Sequence, residues 1–125
     1  MNIQVGLRGE AVVKVTEANT ARTMKSGALP VFATPAMCAL MEEAAVAALS
    51  NYLADGEGTV GISLNITHDK PSPVGATIRA EADVMAVEGR KISYRVAAYE
   101  GEVCIGQGTH ERFVINNEKF MSKLK

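Results

Sequence analysis

Residues 34–51, TPAMCALMEEAAVAALSN, read as one long helix, and the rest of the chain takes its meaning from them. Thr34 offers the hydroxyl of a helix N-cap, and Pro35 suits the first helical position, where a missing N–H leaves nothing unpaired. Ala36 to Leu49 are mostly Ala, Leu and Met, all strong helix formers. At about 100° per residue, Met37, Leu40, Met41, Ala44, Ala45, Ala48 and Leu49 share one broad side. Glu42 falls on the flank of that stripe and Glu43 further round, towards the back. A wet strip along the helix accounts for Glu43 more readily than for Glu42, and a carboxylate inside so apolar a run needs a partner or a task. The run falls short of the ~20 apolar residues of a bilayer span, and its two adjacent charges interrupt it. It predicts a core helix, largely enclosed by the remaining chain.

That remaining chain reads as strands. Residues 10–17, EAVVKVTE, place Ala11, Val13 and Val15 on one parity and predict a first strand. Residues 18–33 are mixed, broken by Gly27 and Pro30, and read as a loop with one helical turn that delivers Val31 and Phe32 to the helix start. The helix is expected to end near Tyr52–Ala54, with the DGEG of residues 55–58 turning the chain. From Thr59 the period becomes two. Val60, Ile62, Leu64 and Ile66 form one row, Gly61, Ser63, Asn65 and Thr67 the other, and His68 continues the apolar row towards the helix. After Pro71 and Pro73, Ile78, Ala80, Ala82, Val84 and Ala86 point inward from a long strand. Glu88-Gly89 and Glu100-Gly101 are hairpin signals that bound a strand carrying Ile92, Tyr94, Val96 and Ala98. The last strand runs from Val103 to Ile115, with Gly106 and Gly108 as bulge or close-approach positions and His110, Arg112 and Val114 on one parity. The polar tail, residues 116–125, is expected to fray unless Phe120 and Met121 dock.

The order is therefore strand, loop, helix and four strands in a meander: a single α+β domain over residues 1–125, one sheet of about five strands around the helix. Its exposed edges predict pairing with a second copy. A net charge of −1 gives no electrostatic case for nucleic acid or an anionic membrane. The opening residues lack the apolar segment of a signal peptide, which makes the cytosol the expected compartment. Cys38 and Cys104 lie far apart, and the two histidines are isolated, so buried thiols are expected rather than a disulfide, and no metal or other cofactor is.

This layout resembles the hotdog fold, and within it the residues are similar to the fluoroacetyl-CoA thioesterase family. The matching pieces are Val31-Phe32-Ala33-Thr34 at the helix start, Glu42 eight residues later, Gly61 and His68 on the next strand, and Arg112 on the last. The resemblance covers nearly the whole chain and implies hydrolysis of an acyl-CoA thioester by a homodimer or larger homo-oligomer. It implies Thr34, Glu42 and His68 as catalytic residues and Gly61, Arg112 and Phe32 at the substrate. The acyl group stays open, and Pro35 directly after the threonine is a local choice that bears on the helix entrance.

The chemistry of these residues fits that implication. A helix N-terminus offers N–H groups and a positive dipole end to an oxyanion, and Thr34 stands there to bond the substrate, to attack it, or simply to cap the helix. Glu42 can activate water or attack the acyl carbon itself. It lies roughly 12 Å along the axis from Thr34, at 1.5 Å per residue, which disfavours a compact triad in one subunit and favours a site shared across an interface. His68 suits proton relay, or is a satisfied core histidine. Gly61 permits close approach or marks a bulge. Arg112 has the fork to clamp a phosphate or carboxylate, or pairs with a surface acid such as Glu111. His110 reads as exposed or structural, and Tyr94 and Phe32 as core fillers that can also shape a pocket. A non-catalytic hotdog protein binding acyl-CoA is the alternative; a hydratase ranks below it, because the Asp-and-His motif of that class is not evident.

Overall fold

The computed structural model describes residues 2–124; Lys125, the last residue of the tail expected to fray, lies outside them. Five strands form one antiparallel sheet: β1 (Arg8–Lys14), β2 (Glu57–His68), β3 (Thr77–Glu88), β4 (Lys91–Glu100) and β5 (Val103–Asn116). A one-turn helix, α1 (Ala21–Met24), interrupts the first loop, the long helix α2 spans Thr34–Leu49, and α3 (Asn117–Ser122) follows β5. The tail is thus a short helix, because the Asn116 side chain accepts from the Lys119 N–H at 3.0 Å and caps it.

Sheet order corrects the expected meander. It runs β1-β3-β4-β5-β2, so only β3, β4 and β5 follow one another as hairpins, joined at Gly89 and Gly101, both with positive φ. β2 pairs with β5 on the far edge, not with β3. The physical reason lies between residues 69 and 76, where Pro71 and Pro73 cannot continue a ladder and the chain crosses over.

The seven residues on the apolar side of α2 are all buried against the sheet, as their spacing requires. The enclosure is one-sided: Pro35, Ala39, Glu43, Val46 and Ala47 face outward. Across the contact stand the small residues Ala11, Ala80 and Ala82, also buried. Closest is Gly9 of β1, which has no side chain to hold the helix away: a Cβ there would overlap the Ala44 carbonyl oxygen and the Ala48 nitrogen. Gly106 is the matching close approach at the other end, where a Cβ would stand 2.7 Å from the Met37 sulfur. Beneath the helix, the Tyr94 hydroxyl donates to the Ala45 carbonyl at 3.1 Å, and burial raises its pKa above the ordinary tyrosine value.

Candidate active site

The chain reaches α2 along a path pinned on both sides. Phe32 donates its N–H to the Ser72 carbonyl at 2.9 Å, and Ala33 donates to the Asn19 carbonyl at 2.9 Å. Those bonds hold Ala33 extended, so Ala33 is the N-cap, while Thr34 and Pro35 are the first two helical residues. The expected Thr34 cap is therefore one residue off, and its hydroxyl makes no capping bond. It is directed instead at His68 on β2: Thr34 Oγ1 lies 2.7 Å from His68 Nδ1.

His68 sits half-buried at the end of β2, and its Nε2 is buried without a partner among the described residues. Burial is the largest influence holding its pKa below the ordinary histidine value, with the Lys70 backbone and Asp69 opposing. A neutral ring has one donor and one acceptor nitrogen, so Nδ1 can accept the Thr34 proton or donate to the hydroxyl. Thr34, His68, Phe32, Asp69, Lys70 and Pro71 help line a pocket of about 250 Å³. Phe32 is buried and also walls a more apolar cavity of about 320 Å³ on its other side, with Val13, Met24, Ala36 and Leu40.

Glu42 belongs to a second cluster further down the helix. Its Oε2 accepts from Arg112 Nη1 at 3.2 Å, and its side chain keeps 44% of its exposure against 8% for the arginine. Arg112 is held from every side: Nε donates to Thr59 Oγ1 at 2.9 Å, Nη2 to the Thr59 carbonyl at 3.1 Å, and Nη1 also faces His110 Nε2 at 3.2 Å. Its partner is thus Glu42 rather than Glu111, which takes the Ser63 hydroxyl at 2.9 Å on the other face of the sheet.

A β-bulge places Gly61 in this cluster. Gly61 pairs with Arg112 and Ser63 with Glu111, leaving Ile62 extra and 51% exposed. Ile62 does not point inward as the alternation predicts, since one inserted residue exchanges the two faces. The same exchange turns Gly61 to the side of the sheet that carries Arg112, although it differs from His68 in parity. A Cβ at Gly61 would stand 2.7 Å from Glu42 Oε2, 3.3 Å from Arg112 Nη1 and 3.4 Å from His110 Cε1.

The six residues singled out in the sequence therefore fall into two groups, Phe32 with Thr34 and His68, and Gly61 with Glu42 and Arg112. No hydrogen bond among the described residues joins them. His110, read as exposed or structural, is 1% exposed and belongs to the second group with Thr59. Its shared parity with Arg112 and Val114 was the signal. The cysteines are both unpaired and half-buried. Burial, then Glu42, pushes the Cys38 thiol up, which disfavours a thiolate nucleophile there. Among the described residues no group of His, Cys, Asp or Glu is arranged to hold a metal, and no helix is long and apolar enough to cross a membrane.

These shifts predict acid sensitivity. Burial lowers the folded-state pKa of both His68 and His110 below 6.5, so the unfolded chain binds more protons there. Stability from both is present above that value and is lost as the pH falls through the window beneath it. Glu57 and Glu111, held low first by the Ala54 N–H and the Ser63 hydroxyl, lose theirs only below 4.5. The thermal midpoint should be flat near neutral pH, decline from about pH 6.5 downward and decline further in the carboxylate range. A midpoint that holds or rises between about pH 7 and 5.5 would contradict this.

Residues 15–118 match the model of the FlK family, fluoroacetyl-CoA-specific thioesterase. A fluoroacetyl-CoA thioesterase of Streptantibioticus cattleyicolor is 47% identical over 95 residues, 76% of this chain and 68% of that protein. The solved fluoroacetyl-CoA thioesterase FlK superposes with a TM-score of 0.91 at 40% identity, covering 99% of this chain and 96% of that one. A mutant of that enzyme in complex with acetyl-CoA superposes equally well, TM-score 0.91 at 39% identity over 98% and 96% of the two chains. A thioesterase superfamily member of Thermus thermophilus is 28% identical with a TM-score of 0.89, over 98% of this chain and 90% of that one.

Proposed function

Because the chain belongs to the fluoroacetyl-CoA-specific thioesterase family, a hotdog-fold group of thioester hydrolases, we propose that its two clusters are the halves of one hydrolytic site for a small acyl-CoA. The observation that carries this reading is the pairing of Thr34 Oγ1 with His68 Nδ1 at 2.7 Å beside the α2 N-terminus. It sets a polarisable hydroxyl and a neutral imidazole where first-turn N–H groups can receive an oxyanion.

In this reading the thioester carbonyl lies at the helix N-terminus with Phe32 along the acyl group. Glu42 takes a proton from water as the oxygen attacks the acyl carbon; the tetrahedral intermediate collapses, the C–S bond breaks, and the thiolate of CoA leaves and is protonated through the Thr34–His68 pair. In direct attack the Glu42 carboxylate adds to the acyl carbon, the C–S bond breaks to expel the CoA thiolate, and water then opens the mixed anhydride; both routes yield free acid and CoA. Arg112 fixes the Glu42 carboxylate, and Gly61 leaves the space in front of it open.

The separation of Thr34 from Glu42 along α2, roughly 12 Å, supports a site in which Glu42 of one copy meets the Thr34–His68 pair of another. The bare edges of β1 and β2 and the outward face of α2 support a homodimer or larger homo-oligomer. The two unpaired thiols accord with a reducing, cytoplasmic setting.

The test is free-thiol release from a panel of short, aromatic and halogenated acyl-CoAs. Turnover is expected on at least one small acyl group. Binding of CoA esters with no turnover on any member would replace the hydrolase with a binding protein.

A further inference from the structure

His110 is a buried, titratable residue to which the proposed mechanism gives no task, and its contacts define its protonation. Nδ1 lies 2.7 Å from the Ser63 carbonyl oxygen, which can only accept, so Nδ1 carries the proton. In a neutral ring Nε2 is then a bare lone pair, and it faces Arg112 Nη1, which can only donate, at 3.2 Å. The ring stacks on Tyr94 with centroids 5.7 Å apart and planes at 25°, so it has little freedom to turn. Nη1 of Arg112 has two hydrogens, and the other goes to Glu42 Oε2.

We propose that His110 is a positioning residue: as the neutral Nδ1–H tautomer it accepts one Nη1 hydrogen of Arg112 and thereby aims the second at the Glu42 carboxylate. Without that acceptor Arg112 is still tethered through Nε and Nη2 to Thr59, but the tilt of the planar guanidinium about that edge, which carries Nη1 towards or away from Glu42, loses a restraint. Protonated His110 would have no lone pair for Nη1 and would set a second cation beside the guanidinium. The groups that decide its state are Arg112 and Glu111 on β5, Glu42 on α2, Tyr94 on β4 and the Ser63 carbonyl on β2. Burial is the strongest influence and keeps the ring neutral, and Arg112 adds to it; the Ser63 carbonyl, Glu42 and Glu111 oppose.

The inference rests on reading Glu42 as the carboxylate that serves the acyl group, and the experiment separates the two. Nitrogen NMR of the whole protein reads the tautomer directly, because the chain has two histidines only. One ring should show a protonated Nδ1 in slow exchange, a bare Nε2, and no charging as the pH falls through the ordinary histidine range. A protonated Nε2 on that ring, or a charge at neutral pH, overturns the proposal even if no variant folds. His110→Asn keeps a donor for Ser63 and removes the acceptor; His110→Gln returns an amide oxygen near the Nε2 position. The asparagine variant should lose roughly tenfold to a hundredfold in kcat with KM little changed, and the glutamine variant should recover most of it. Wild-type kcat in a folded His110→Asn protein, beside an inactive Glu42→Gln protein, would sink this inference alone. Wild-type kcat in Glu42→Gln would sink the reading of the site beneath it.

Discussion

Replacing Glu42 by glutamine is expected to lower kcat for acyl-CoA hydrolysis by about three orders of magnitude, the usual worth of a positioned general base. The thermal midpoint should fall, but the protein should stay folded. Arg112 is buried and loses its charge partner, yet the amide oxygen can still accept from Nη1, and the other donors keep Thr59 and His110. The amide cannot take a proton from water and is a poor nucleophile, so either route through Glu42 stops at the first step. Glu102→Gln is the control: that residue is exposed in the turn between β4 and β5 and should leave turnover unchanged. Mixing inactive Glu42→Gln with inactive Thr34→Ala should restore part of the activity if the two halves of the site come from different copies. Near-normal turnover in Glu42→Gln would remove the carboxylate from the mechanism.

Gly9→Val is expected to be the most damaging substitution for stability. The new Cβ would overlap the carbonyl oxygen of Ala44 and the nitrogen of Ala48, and would stand 2.9 Å from the Ala48 Cα. These are backbone atoms inside a helix, so no rotamer change can relieve the clash; α2 must lift away from β1 and loosen the core beneath it. Overpacking costs about 1–3 kcal/mol where side chains can adjust, and here they cannot, so a loss of about 3 kcal/mol or more is expected. For a domain of this size that is a fall of roughly 10 °C in thermal midpoint, read by calorimetry. Val12→Thr lies on the outward face of the same strand, where Val12 is 60% exposed, and should stay within about 0.5 kcal/mol of wild type. Equal midpoints for the two variants would mean that the helix does not rest on Gly9.

Much of the fold was legible because it is written in local periods. The seven apolar positions of α2 needed only the helical repeat, and Ile78, Ala80, Ala82 and Val84 of β3 needed only alternation. The candidate residues were legible through the resemblance they carry, and two physical signals stood beside it: a carboxylate on an apolar helix and a histidine on an inward row. The row containing His110 and Arg112 was visible too, yet a lone histidine on a strand does not announce what it faces.

Local pattern in the chain was enough for the helix and its buried side, the strands, the hairpins at Gly89 and Gly101, and the residue types on which a hydrolytic site has to draw. Packing in three dimensions sets the rest: β2 lies against β5, Thr34 bonds His68 rather than capping α2, Ile62 is squeezed out so that Gly61 meets Glu42, and Arg112 is taken up by Glu42 and Thr59. The division has one cause. Periodicity along a segment fixes which side of it avoids water, whereas a partner 34 or 70 residues away in the chain, or a single inserted residue in a ladder, is chosen by how the segments pack together, and no local pattern encodes that choice.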